Sequence, residues 1–191
     1  TTSRSNFSIV GQNTAKSIEI ALESIGRPFK TFQSVLDFGC GCGRTLIWFE
    51  RTFPKATLHG TDVDKASIVW CRAHLSAAHF SVNTMLPPMY YPDGVFDLVY
   101  AISVFTHLSE DHQFPWLSEL HRVIKPGGVL LFSVYGEQSW KGLSPEECKT
   151  LRHEGFLFKT SLKLHGIVPD WYHTAYHSRE YVMRTFSSVF T

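Results

Sequence analysis

The stretch Val35-Leu36-Asp37-Phe38-Gly39-Cys40-Gly41-Cys42-Gly43 decides how this chain is read. An apolar, β-type run carrying one acid leads into a loop with glycine at every second position. Leu46-Ile47-Trp48-Phe49 follows, with no Gly or Pro to interrupt a helix. Strand, glycine loop and helix in that order bring backbone N–H groups up to a bound ligand, and glycine permits both positive φ angles and close approach. The spacing narrows the ligand. A dinucleotide fingerprint needs G-x-G-x-x-G, and its last position falls on Arg44 counted from Gly39, or on Leu46 counted from Gly41. The phosphate-binding run G-x-x-x-x-G-K-[ST] does not occur.

Working outward, the 191 residues suit one domain with a substantial core. A content of 43% hydrophobic and 18% charged residues fits a globular protein. A net charge of +1 gives no electrostatic case for nucleic acid or an anionic membrane surface. The 15 Phe, five Trp and seven Tyr divide between an aromatic core and rings lining a small-molecule pocket. Cys40, Cys42, Cys71 and Cys148 form no C-x-x-C pair and no disulfide framework, which suits a reducing cytosol and gives no zinc pattern. No signal-peptide pattern and no apolar run of membrane-spanning length is seen, so a cytoplasmic protein is expected.

Periodicity lays out alternating elements. Ile18, Ala21, Leu22 and Ile25 mark an amphipathic helix closed by Gly26 and Pro28. Strands are expected at 35–37, 56–61, 80–82, 96–102 and 129–134, with Asp64 capping a helix through Ile68, Cys71 and Leu75. Ser109-Glu110-Asp111 opens another helix, which either kinks or truly begins at Pro115. Such alternation predicts a doubly wound α/β fold, a mostly parallel sheet with helices on both faces. Residues 1–191 read as a single domain, with 136–177, broken by Gly and Pro, as a cap or insertion over the carboxyl edge of the sheet. A last helix starts at Ser178.

Taken together, four motifs in the correct order resemble the class I S-adenosylmethionine-dependent methyltransferases, in their small-molecule and glycan-type branch. They are Asp37-x-Gly39-x-Gly41-x-Gly43, Gly60-Thr61-Asp62, Phe96-Asp97-Leu98-Val99 and Arg122-Val123-Ile124-Lys125-Pro126-Gly127-Gly128, with Val104-Phe105-Thr106-His107-Leu108 pointing to the branch. The resemblance covers roughly residues 30–135 and implies S-adenosylmethionine as cofactor. It places Asp37, Gly39, Cys40, Gly41 and Gly43 around the cofactor, with Asp37 holding the glycine loop and the methionine amino group. It also puts Val63 under the adenine, Asn83 at the adenine amine, and Ala101, Ile102 and Ser103 near the sulfonium. Asp62, about twenty residues past the loop at the tip of the next strand, also suits the ribose hydroxyls on physical grounds.

Methyl transfer needs alignment and a dry pocket, plus a base where the acceptor must lose a proton. His107, after the fourth strand, is the leading catalytic candidate. Tyr100, Trp171, His173, Tyr176 and His177 are the substrate-side candidates. His173 and His177, four apart, lack a matching carboxylate, so no metal is expected. The family closes with a terminal antiparallel hairpin. Its absence is expected here, since the chain ends at Thr191, leaving the fifth strand as an exposed or partner-covered edge through which a homodimer can form. The reading is therefore a methyltransferase, in a truncated form, acting on a small-molecule, sugar or lipid-like acceptor by O-methylation. Two alternatives stay open: a non-catalytic S-adenosylmethionine-binding module, and an NAD-dependent oxidoreductase, which the missing third glycine disfavours.

Overall fold

The computed structural model describes residues 2–76, 78–160 and 173–190, with side chains from residue 7 onward. The described elements run α1 (Thr2–Ser24), β1 (Ser34–Phe38), α2 (Leu46–Thr52), β2 (Thr57–Asp62), α3 (Lys65–His74), β3 (Ala78–Val82), β4 (Phe96–Ala101), α4 (Glu110–Val123), β5 (Ile124–Phe132), α5 (Pro145–His153), β6 (Phe156–Lys159), β7 (Thr174–His177) and α6 (Arg179–Thr185). Five strands form one sheet in the order β3-β2-β1-β4-β5, and β1 pairs in parallel with both β2 and β4, as β2 does with β3. The doubly wound α/β reading therefore holds. Strand order reverses between β1 and β4, and such a switch point opens a crevice beyond the carboxyl ends of the strands.

The chain divides into two compact units, Thr1–Ala101 with Arg122–Leu131, and Ile102–His121 with Phe132–Thr191. In the first, β1 is central, and Val35, Leu36, Asp37 and Phe38 are all buried, as expected of a strand covered on both faces. Phe49 of α2 stacks on Phe29 at 3.9 Å between ring centroids and meets Tyr100 edge-on at 5.7 Å. Helix α1 buries Gly11, Ala15, Ile18 and Leu22, while Ala21 and Ile25 face solvent; the i, i+4, i+7, i+11 stripe extends the face read from the sequence toward the N-terminus. Gly11 is required for contact: a Cβ there would stand 2.2 Å from the Arg44 carbonyl oxygen. Asp97 ties the sheet at its opposite end, accepting from the Gln33 and Ser34 N–H groups at 3.0 and 2.9 Å and from Lys125 Nζ at 2.8 Å.

In the second unit, α4 starts at Glu110 and runs through Pro115, so the proline neither begins nor ends it; it lies one turn in, where it removes a single backbone donor. Residues 136–160 are more regular than their broken composition suggested: Ser144 and Glu147 form a capping box at the start of α5. An antiparallel pair is also present, contrary to the expected missing hairpin. β6 pairs with β7, with Phe156 opposite His177, in a sheet of its own placed before α6 rather than after it. Local apolar runs too short to stand out, and a partner strand some twenty residues away, hid it from the sequence. β5 begins at Ile124, earlier than expected, taking in Gly127 at φ 75°, and it ends the five-stranded order as an edge.

Candidate functional site

The glycine loop is held by the neighbouring strand. Gly39 and Cys40 N–H groups donate to the Thr61 carbonyl at 2.8 and 3.0 Å, and the Gly43 N–H closes back on the Cys40 carbonyl at 2.9 Å. Gly39, Gly41 and Gly43 all have positive φ. Gly43 is also sterically fixed, since a Cβ would meet Leu75 Cδ1 at 2.5 Å, whereas one on Gly41 meets nothing within 4 Å. The chain thus presents open backbone at Gly41, where a ligand can approach.

Asp62 is the residue that clamps this loop. Its Oδ2 accepts from the Gly41 N–H at 2.7 Å and its Oδ1 from the Asp64 N–H at 2.8 Å. Each oxygen keeps lone-pair capacity for a further donor. Asp62, expected at the ribose, thus also holds the glycine loop.

Asp37 lies at the switch point opposite Tyr100 in the β1–β4 register. Burial pushes its carboxyl up to about 8; the Tyr100 hydroxyl and Arg44 oppose this, and Asp62 adds to it. Tyr100 is fully buried, and burial, together with the Asp37 carboxyl beside its hydroxyl, raises the phenol pKa. A sequestered acid is an arrangement that a cationic group completes. Tyr100, read as a substrate-side residue, therefore sits with the loop carboxyl.

The other residues expected on the cofactor side lie where the strands end. Val63 is half-buried just past β2. Asn83 follows β3 and is buried, its Oδ1 accepting from Thr61 Oγ1 at 2.9 Å and its Nδ2 donating to the Thr84 carbonyl at 2.8 Å. Ala101 is the buried end of β4, Ile102 is half-buried and Ser103 exposed. Ser103 is the one described non-glycine residue with positive φ, at 60°, and its N–H donates to Ser133 Oγ at 2.8 Å. Strain of this kind concentrates where a chain serves a ligand.

In the second unit, His107 is half-buried and its Nδ1 lies 2.8 Å from the His173 carbonyl oxygen. A carbonyl only accepts, so Nδ1 carries the proton and the neutral ring has its lone pair on Nε2. Burial lowers the imidazole pKa, partly offset by that carbonyl, so the neutral base form is favoured. The structure thus brings together His107 and His173. Tyr176 lies 5.8 Å ring to ring from Tyr135. His177 departs from the substrate-side expectation: it is fully buried, with Nε2 3.0 Å from Gln113 Oε1. Trp171 lies outside the described residues. Gln113 and Gly11 escaped the sequence reading, because a lone Gln or Gly within an element carries no spacing signal.

A glycine loop clamped by the acid of the second strand, at the switch point of a parallel sheet, fits the class I S-adenosylmethionine-dependent methyltransferase fold, whose cofactor is S-adenosylmethionine. In keeping with this, residues 35–128 match the family model described as a methyltransferase domain. A fatty-acid O-methyltransferase of Mycolicibacterium smegmatis is 32% identical over 104 residues, 52% of this chain and 36% of that protein. The structure of PKMT2 from Rickettsia typhi in complex with AdoHcy superposes with a TM-score of 0.50 at 25% identity, covering 66% of this chain and 25% of that one. The YcgJ protein of Bacillus subtilis shares the fold, with a TM-score of 0.58 at 20% identity over 82% of this chain and 61% of its own. The matched region spans less than half the length of the curated relatives. Among the described residues no helix is long and apolar enough to cross a membrane.

Proposed function

We propose that this chain carries the methyl-transferring domain of an O-methyltransferase whose acceptor is a small molecule, sugar or lipid-like compound. The observation that carries it is the Asp62-clamped glycine loop with Gly41 open, on a sheet whose central strand holds the buried Asp37 opposite Tyr100. These residues fit the cofactor. Asp62 has acceptor capacity for ribose hydroxyls, Asp37 and Tyr100 suit an ammonium, and Asn83 Oδ1 keeps a lone pair for an adenine amine. Val63 offers an apolar surface for the base, and Ala101, at the end of β4, would border the sulfonium. When bound, S-adenosylmethionine supplies an activated methyl group.

The protein's own work is to align and to manage a proton. For a hydroxyl acceptor, His107 Nε2 takes the proton as the oxygen becomes nucleophilic, a contribution of about 10²–10⁴-fold. A carboxylate acceptor, suggested by the fatty-acid O-methyltransferase relative, is already ionised at neutral pH and needs only orientation. A transfer assay with radiolabelled methyl donor against fatty acids, sugars and hydroxylated small molecules separates these cases. Transfer that survives His107→Ala only for carboxylates is expected if the histidine is a base. Binding of the donor without transfer to any acceptor would favour the non-catalytic module.

Four free thiols support a reducing, cytosolic setting. The terminal position of β5 supports pairing of two copies at that edge; sedimentation of the chain at rising concentration tests it.

A further inference from the structure

In the second unit, one side chain brackets the turn that carries His107. Gln113 of α4 is fully buried, and its Nε2 donates to two carbonyls, Phe105 at 3.3 Å and Leu108 at 2.8 Å. Because carbonyls only accept, the amide orientation is fixed, and Oε1 is the atom that faces His177. Oε1 also only accepts, so His177 Nε2 must carry the ring proton across the 3.0 Å contact. His177 Nδ1 is then a buried lone pair without a partner among the described residues, surrounded by the rings of Phe156, Tyr181 and Phe186 at 5.2, 6.0 and 5.9 Å. That apolar shell holds the imidazole neutral, its pKa pushed down by burial to about 4.

The same strand grips the turn from its backbone. The Ala175 N–H donates to the Thr106 carbonyl at 2.8 Å, and the His173 carbonyl accepts from His107 Nδ1 at 2.8 Å. Residues 173 and 175 are two apart along β7 and its leading residue, so a period of two delivers two backbone contacts to the four-residue turn, and His177, two further on, reaches Gln113. The His107 N–H closes the turn on the Val104 carbonyl at 2.9 Å. Burying an amide and an imidazole is costly unless they are hydrogen-bonded. Here the Gln113 amide nitrogen serves the turn and its oxygen takes the His177 Nε2–H, which ties the imidazole to the turn through the amide.

We infer that the Gln113–His177 pair is the positioning element of His107, fixing the turn 105–108 so that β7 selects the ring tautomer with its proton on Nδ1 and its lone pair on Nε2. The pair acts through His107 and touches no reacting atom. This rests on the reading of His107 as the acceptor-side residue only for its catalytic meaning; the positioning itself is independent of turnover.

The test is long-range ¹H–¹⁵N correlation on the full chain labelled at histidine, with the His107 signals assigned by His107→Gln. In the wild type, His107 is expected as the Nδ1–H tautomer and His177 as the Nε2–H tautomer. His177→Phe removes the donor while keeping an aromatic ring, and is expected to turn His107 into a mixture of tautomers. His177→Gln, which keeps an N–H near the Nε2 position, is expected to restore the single wild-type tautomer. Should the Phe variant fail to fold, His177→Asn serves instead, since its amide withdraws the donor from that position. A wild-type His107 protonated on Nε2, or an unchanged His107 in a folded Phe or Asn variant, overturns the inference. Full turnover in His107→Ala would instead remove the catalytic reading and leave these spectra unaffected, so the two failures are distinguishable.

Discussion

Asp62 Oδ2 accepts a 2.7 Å hydrogen bond from the Gly41 N–H, joining the tip of the second strand to the middle of the glycine loop. The acid that the spacing assigned to a ribose is therefore already at work in shaping the loop. Asp62→Ala removes both functions. A hydrogen bond to a charged group contributes about 1.5–3 kcal/mol, so S-adenosylmethionine affinity is expected to fall by roughly tenfold or more in a calorimetric titration. Unchanged affinity would remove Asp62 from the site.

The strand-loop-helix unit was legible because its signals are local. Alternate glycines, the acid at a fixed distance and the apolar strands are each written within a few residues. The second unit was not legible for the opposite reason. Gln113 and His177 are 64 positions apart, and each looks unremarkable in its own segment: a polar residue on a helix, a histidine among aromatics. Only folding brings them into one buried pair. His177 was consequently placed at the substrate, where its exposure in an extended chain would have suited it.

Asp37 sets a pH signature. Its pKa rises from an ordinary 3.8 to about 8 on folding, chiefly through burial. Between those values the folded protein holds a proton that the unfolded chain has lost, so this group's stabilising contribution is full below about pH 4 and is lost as pH rises toward 8. Asp37→Asn is expected to flatten that part of a stability–pH profile measured by urea unfolding. Docking an ammonium beside Asp37 favours the ionised form, so cofactor binding at pH 7 is expected to release a proton. Titration in two buffers of different ionisation enthalpy reads that proton, and Asp37→Asn should abolish it.

At Ser103, φ is 60°. A left-handed conformation costs a non-glycine residue about 1–2 kcal/mol, partly offset in glycine by its larger unfolded-state entropy. Ser103→Gly is expected to be neutral or mildly stabilising in thermal unfolding. Ser103→Val, β-branched, is expected to cost about 1–3 kcal/mol. Equal stability of the two variants would show that the backbone there relaxes freely.

Asp97 fastens β4 to the start of β1 and to Lys125. Burial raises its pKa, but Lys125 and the Ser34 and Gln33 N–H groups bring it below the ordinary value overall. Its contribution is thus present above the unfolded carboxyl pKa and lost as pH falls through the lower folded value. Asp97→Ala is expected to destabilise the chain by about 1–3 kcal/mol in urea unfolding, with the deficit shrinking at acidic pH. A deficit that does not shrink would assign the effect to lost packing.

The most direct measurement is calorimetric titration of the folded wild-type chain with S-adenosylhomocysteine and, separately, with NAD. Saturable one-to-one binding of S-adenosylhomocysteine, weakened by Asp62→Ala and absent for NAD, is the expected result. A folded chain that ignores S-adenosylhomocysteine, or that prefers NAD, would contradict the assignment of the Asp62-clamped glycine loop to a methyltransferase cofactor site.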